Sequence, residues 1–253
     1  MIVLVGLGLY DERDISLKGL EEIKSSDKVY CELYTSFWNG SLENLEKLAN
    51  KKIILVKRKD LEDSLEKIVE EAKDKKISIL VPGDPLVATT HSSIIQEARK
   101  RKIKTKIIHS SSIVSAIAET GLHIYKFGKV VSIPFLEKVS ELPKSVYDSI
   151  LSNKKNNLHT LCLLDIDFEN RRYMSVKEAL EILLKINEKY GGEILNEEEK
   201  ILVVCRLGSE NPKIVYGKIK NLIKKEFGYP CSLILLSPLH FSEKEFIELF
   251  AEE

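Results

Sequence analysis

Glutamine occurs once in the 253 residues, at Gln96, tryptophan once and methionine twice, and only seven of the 39 basic residues are arginine. Such a lysine- and glutamate-rich chain leans toward heat adaptation, although its plentiful asparagine pulls the other way. Net charge is also lacking: 39 basic residues face 39 acidic ones. General nucleic-acid and membrane-surface binders carry a basic excess, so neither is expected as a direct partner. No apolar run approaches the ~20 residues of a membrane span. The opening Met1 to Gly6 has no basic segment ahead of its apolar stretch and reads as a first buried strand rather than a signal peptide. The length suits one large domain or two small ones, enough to bury a real core.

Motifs of several enzyme classes are missing. There is no H-E-x-x-H spacing among the five histidines, so no metal is expected. The G-x-S-x-G elbow and the Walker phosphate loop are absent, which counts against common hydrolases and P-loop enzymes. Cys31, Cys162, Cys205 and Cys231 are scattered, without a C-x-x-C pair, each in or beside an apolar run. Buried thiols in a reducing compartment are therefore expected ahead of disulfides or zinc, and cytoplasm is the default location.

What is present in the first half is alternation. Apolar runs at 2–5, 28–32, 53–56, 77–81 and 106–108 read as strands. Between them lie helices: one capped by Ser16, one over 41–50, one from Asp60 with Leu61, Leu65, Ile68, Val69 and Ala72 on a stripe, and one over 92–102. This predicts an α/β fold with a mostly parallel sheet. The second half predicts strands at 129–134, 158–164, 201–205 and 232–236, and helices at 176–190, 219–225 and 242–250. Residues 188–200 read as an exposed charged connection. Residues 121–129 read as a hinge, giving an N-terminal lobe over 1–120 and a C-terminal α/β lobe over 121–253.

Three segments at strand ends can carry chemistry. Gly6-Leu7-Gly8 permits a close backbone approach to a ligand, yet Asp11 stands where a dinucleotide fingerprint needs its third glycine. The loop that follows carries Asp11, Glu12 and Asp14 against Arg13, which would repel a pyrophosphate. A neutral or cationic ligand, or a tight strand exit serving geometry alone, fits better. In Pro82-Gly83-Asp84-Pro85 two prolines and a glycine present Asp84 in a fixed direction at a strand end, where open α/β sheets place ligands. A plain turn with an Asx hydrogen bond is the simpler account of the same string. His109-Ser110-Ser111-Ser112 precedes another helix, and capping explains one serine rather than three. His123, His159 and His240 sit amid apolar neighbours and read as core or pocket-rim histidines.

Taken together, several segments are far more specific. Val5 to Leu20, Pro82 to His91 and Thr120 to Gly128 resemble the diphthine synthase family, as do Leu158 to Leu161, Leu164-Asp165, Tyr173-Met174, Gly208 to Pro212 and Pro238 to His240. The resemblance covers nearly the whole chain and is weakest at 135–150 and 188–200. It implies a tetrapyrrole-methylase-like fold of two α/β lobes with a cofactor cleft between them, commonly a homodimer. It further implies an S-adenosylmethionine-dependent methyltransferase, leaving S-adenosylhomocysteine, that acts on the amino group of a modified histidine of translation elongation factor 2 in diphthamide biosynthesis. Transferred residue by residue, the cofactor contacts would be Leu9, Asp84, Val87, Ser112, Ile113, Leu164, Leu207 and His240. Ser110-Ser111 replace the alanine-proline that members often carry before Ser112, and Leu207 replaces a smaller residue of some relatives.

The residues agree with this. Adenosylmethionine carries no phosphate, and the candidate loops hold no phosphate cradle; Leu164 and Leu207 suit an apolar wall for adenine. The acceptor amine must be unprotonated, but no proton acceptor can be named, and Asp84 and His240 remain only options. Tyr10 or Tyr34 could face a methylated cation, with packing the simpler role for both. Two alternatives stay open: a corrin-precursor methyltransferase of the same fold, which the acidic first loop disfavours, and a noncatalytic module with a nucleotide-like pocket.

Overall fold

Strand β1 (Ile2–Gly6) is wholly buried, as its unbroken apolar sequence requires of a strand covered on both faces. The computed structural model describes residues 1–62 and 65–252, and divides into two compact units, Met1–Ala116 and Ile117–Glu253.

In the first unit the chain runs from β1 to α1 (Leu17–Lys24), β2 (Lys28–Glu32), α2 (Leu42–Ala49), β3 (Ile54–Val56), α3 (Arg58–Glu62), α4 (Leu65–Glu71), β4 (Ile77–Val81), α5 (Ser92–Lys100), β5 (Thr105–Ile108) and α6 (Ile113–Ala116). Ser16 accepts the Gly19 N–H at 3.0 Å, so the predicted cap forms, and Ser41 caps the next helix by accepting the Asn44 N–H at 3.2 Å. The single helix expected from Asp60 is described as α3 and α4, and residues 63 and 64 of it lie outside the described residues. The strands form one parallel sheet in the order β3-β2-β4-β1-β5, as the alternation predicts.

Strand parity sorts the core. Val3, Val5, Val29, Cys31, Leu80 and Ile108 share a cluster with Ile23 of α1 and Leu45 of α2. Ile2, Leu4, Ile77, Ile79 and Val81 point to the opposite face and are equally buried. There α4 and α5, packed together, supply Ile68, Val69, Ile94 and Ala98.

The second unit contains β6 (Val131–Ile133), α7 (Lys144–Lys155), β7 (Thr160–Leu164), a two-stranded hairpin of β8 (Ile166–Asp167) and β9 (Arg172–Tyr173), α8 (Val176–Tyr190), β10 (Lys200–Cys205), β11 (Lys213–Lys218), α9 (Ile219–Leu222), β12 (Cys231–Leu235) and α10 (Phe241–Ile247). Its main sheet is mixed, ordered β11-β10-β12-β7-β6, with only β6 and β7 parallel. Val146, Tyr147 and Ile150 of α7 join Ala179, Leu180, Leu183 and Ile186 of α8 in one core with the inward residues of the sheet.

Two expectations need correction. Cys205 and Cys231 are bonded to each other, while Cys31 and Cys162 are buried free thiols. The antiparallel register of β10 and β12 sets the two bonded residues directly opposite, Cα to Cα 4.1 Å, a pairing that linear spacing does not reveal. The stretch 188–200 is not wholly exposed. Ile194 and Leu195 are buried within the α7–α8 core, and Asn187 fastens them by accepting the Ile194 N–H at 3.0 Å and donating to the Leu195 carbonyl at 2.8 Å.

Candidate active site

The order of strands prepares a crevice. From β1 the chain crosses to β2 in one direction, and from β4 it crosses to β5 in the other. With right-handed crossovers the two connections leave on opposite faces, so their exits diverge at the carboxyl edge of adjacent strands, where such sheets bind ligands. Gly8 and Gly83 stand at these exits and exchange both backbone hydrogen bonds, at 3.3 and 2.8 Å. Both adopt positive φ, +85° and +69°. At Gly6 a Cβ would lie 2.6 Å from the Gly83 carbonyl oxygen, so the close approach excludes any side chain.

The acidic loop after β1 is self-contained. Asp11 accepts the Arg13 N–H at 2.9 Å and pairs with its guanidinium at 2.7 Å, which holds its carboxyl below the usual carboxylate range. Glu12 accepts the Ser41 N–H at 2.9 Å and the Asn44 amide at 2.8 Å, and Asp14 accepts the Tyr10 N–H at 2.6 Å. The three carboxylates thus shape the loop that carries the half-buried Leu9.

Asp84 is 5% exposed and brackets the next two loops. Its Oδ1 accepts the Leu86 N–H at 3.0 Å, while Oδ2 pairs with His109 Nδ1 at 2.8 Å and accepts the Ser110 N–H at 3.2 Å. Val87 follows in the turn closed by its N–H on the Asp84 carbonyl at 3.2 Å, and Ala88 takes a left-handed φ of +55°. Ser112 precedes α6, its N–H donating to the Ser115 hydroxyl at 3.1 Å, and its Cβ lies 3.8 Å from where a Cβ on Gly83 would stand. The first unit therefore brings the segments of Leu9, Asp84, Val87, Ser112 and Ile113 to one sheet edge.

In the second unit Leu164 ends β7 and Leu207 follows β10, which runs parallel to β7 with β12 between them, so the two leucines share an edge. His240 does not join them. It follows the carboxyl end of β12, where Leu235 faces Thr160 at the start of β7, and so stands at the opposite edge. There it caps α10 and its Nδ1 pairs with the Ser242 hydroxyl at 2.8 Å.

Glu243, wholly buried, organises that opposite edge. It accepts the N–H of His123 at 2.9 Å and of His240 at 2.8 Å, the Lys126 ammonium at 2.5 Å, and His159 Nε2 at 3.3 Å. Burial alone would raise its pKa, but these donors, Lys126 foremost, bring it down to about 2. His159 is kept below its ordinary value by burial, with Glu243 opposing. Glu243 was not legible as a polar centre; the available signal was its place three residues after a helix cap.

These loops fit an adenosyl sulfonium cofactor. A carboxylate offers about four acceptor positions and Asp84 uses three, leaving capacity for a hydroxyl or amine. Leu9, Val87 and Ile113, all half-buried, supply apolar surface beside it.

Comparison with known proteins agrees. Residues 1–223 match the family of Tetrapyrrole (Corrin/Porphyrin) Methylases. A diphthine synthase of Methanococcus aeolicus is 47% identical over 100% of this chain and 98% of its own length. That of Methanococcus vannielii is 46% identical over 100% and 99%. A solved diphthine synthase structure superposes with a TM-score of 0.89 at 36% identity, covering 99% of this chain and 95% of that one. The chain belongs to the tetrapyrrole methylases and, within them, to the diphthine synthases. It is a methyltransferase whose methyl donor is S-adenosylmethionine.

Proposed function

We propose that the protein methylates the amino group of the modified histidine of translation elongation factor 2, a step of diphthamide biosynthesis, and that it works in the cytoplasm as a homodimer. Full-length similarity to diphthine synthases carries the substrate assignment; the location rests on the buried free thiols Cys31 and Cys162 and stands against the Cys205–Cys231 bond. In the first unit we assign the cofactor contacts to Leu9, Asp84, Val87, Ser112 and Ile113. In the second, Leu164 and Leu207 at one sheet edge are assigned the same role, and His240, at the opposite edge, a separate contact.

S-adenosylmethionine, when bound, supplies an activated methyl group. The chain's own task is alignment and exclusion of water. Good alignment is worth ~7–11 kcal/mol of the barrier to such a displacement. Asp84 is suited to this because His109 and two backbone N–H groups already fix its carboxylate, so it can receive a hydroxyl or amine without reorganising.

The test incubates the pure protein with S-adenosylmethionine and elongation factor 2 bearing the unmethylated intermediate. Methyl-sized mass increments on that residue are expected; methylation of a corrin precursor in its place would overturn the substrate assignment. Analytical ultracentrifugation checks the dimer.

A further inference from the structure

Glu32, Tyr34 and His91 meet where β2 ends and α5 begins. Glu32 is wholly buried, and Tyr34 and His91 are nearly so. The Glu32 carboxylate accepts the N–H groups of Tyr34 at 2.9 Å and Thr35 at 3.1 Å, and the Thr35 hydroxyl at 2.5 Å. These bonds fold the chain back over the strand end. His91 Nε2 lies 3.5 Å from the Tyr34 hydroxyl and 3.7 Å from Glu32 Oε1, and its buried Nδ1 has no well-aligned partner among the described residues. Arg58 of α3 stacks over the Tyr34 ring at 4.9 Å, and its charge acts on both Glu32 and His91.

Burial raises Glu32 to about 7, against the pull of Thr35, Tyr34 and Arg58. Burial likewise lowers His91 to about 4, with the Pro85 carbonyl opposing and Arg58 adding. Near neutrality the imidazole is therefore uncharged and carries one N–H, while Glu32 stands between acid and carboxylate. As a carboxylate Glu32 calls for a donor and favours the proton on Nε2. As an acid it loses that demand; at 3.7 Å from Nε2 the coupling is electrostatic rather than a hydrogen bond. The ionisation of Glu32 and the tautomer of His91 are thus linked.

His91 closes the Pro82–His91 segment. Its N–H reaches Thr89 Oγ1 at 3.4 Å, Thr89 Oγ1 donates to the Pro85 carbonyl at 2.8 Å, and Ala88 between them holds its left-handed φ. The ring is thereby tied through Thr89 to the turn that carries Val87.

We propose that Glu32 and His91 form a proton-linked latch on this segment, the carboxylate form of Glu32 holding it in the conformation that binds the cofactor. The proposal rests on the reading that Pro82–His91 lines the cofactor. Glu32 and His91 act as positioning residues, and the transferred methyl group is not assigned to either. Besides Arg58 and Tyr34, the titratable group beside the latch is the buried Cys31 thiol, which burial and then Glu32 push up.

Calorimetric titration with S-adenosylhomocysteine from about pH 5.5 to about pH 8.5 tests it, with thermal unfolding recorded for each sample. Affinity of the unaltered protein should rise about tenfold with pH, centred near pH 7, and Glu32→Gln should flatten that dependence. A flat profile for the unaltered protein, or an unchanged midpoint in Glu32→Gln, overturns the latch. If Glu32→Gln does not fold, His91→Gln decides: the latch requires the midpoint to move, and a ring that only packs leaves it in place. Val87→Trp is the separate control. Undiminished affinity in that variant would show that the segment does not line the cofactor, overturning the underlying reading and the latch with it, whatever the pH profile.

Discussion

Asp84 and His109 lie 2.8 Å apart, Oδ2 to Nδ1, and tie the loop after β4 to the loop after β5. The carboxylate is buried while the imidazole is largely exposed, so the pair is anchored on its aspartate side.

Asp84→Ala removes this tie together with the acceptors of the Leu86 and Ser110 N–H groups. Charge-assisted hydrogen bonds are worth ~1.5–3 kcal/mol each. Affinity for S-adenosylhomocysteine should fall at least about tenfold, read by calorimetry at constant pH. Unchanged affinity would remove Asp84 from the site.

Gly8→Ala should be more damaging than its size suggests. The new Cβ would sit 2.3 Å from the Asp14 Cβ, on backbone already at positive φ. Strain of this kind costs ~1–3 kcal/mol before the clash is counted. A lower thermal midpoint is expected, with Gly192→Ala as the contrast, since among the described residues, its chain neighbours aside, no atom lies within 4 Å of its added Cβ although φ is again positive.

Glu243→Gln should destabilise the second unit by about 3 kcal/mol, because Lys126 loses its buried partner. The folded pKa of Glu243, about 2, lies below its ordinary 4.5, so its contribution is complete above pH 4.5 and is lost as pH falls toward 2. Denaturant unfolding at several acidic pH values should show the two proteins converging as pH falls through that window.

Reduction of Cys205–Cys231 should lower stability. The bond closes a separation of 26 residues, which in the chain-entropy account is worth about 3.5 kcal/mol. Thermal melts with and without reductant measure the effect. A Cys205→Ser/Cys231→Ser protein that melts with the oxidised form would contradict it.

Strands β2 and β4 and helix α8 were legible to the residue, because each is a marked run with a clear stop: charged ends in β2, Pro82 after β4, and Ser175 and Gly191 around α8. Helix α7 was not. Its inward face mixes Val146, Tyr147 and Ile150 with Ser149 and Asn153, and no side chain caps it after Pro143. Strand β11 escaped because Gly217 interrupts a short run whose partner lies across an antiparallel turn. In the site, glycines and prolines at strand ends marked the loops, since those residue types report local backbone geometry. Which groups the loops clasp was hidden. His109 reaches Asp84, and His91 reaches Tyr34, only after strand order has set distant segments side by side.

The paired bonds between Gly8 and Gly83 leave no slack at the mouth of the first sheet, so an extra residue between Leu7, itself bonded to Val81, and Gly8 would have to unclip them. A surface turn such as Gly191–Gly192, with open space beside its second glycine, is where a reporter peptide or a relocated terminus can be grafted.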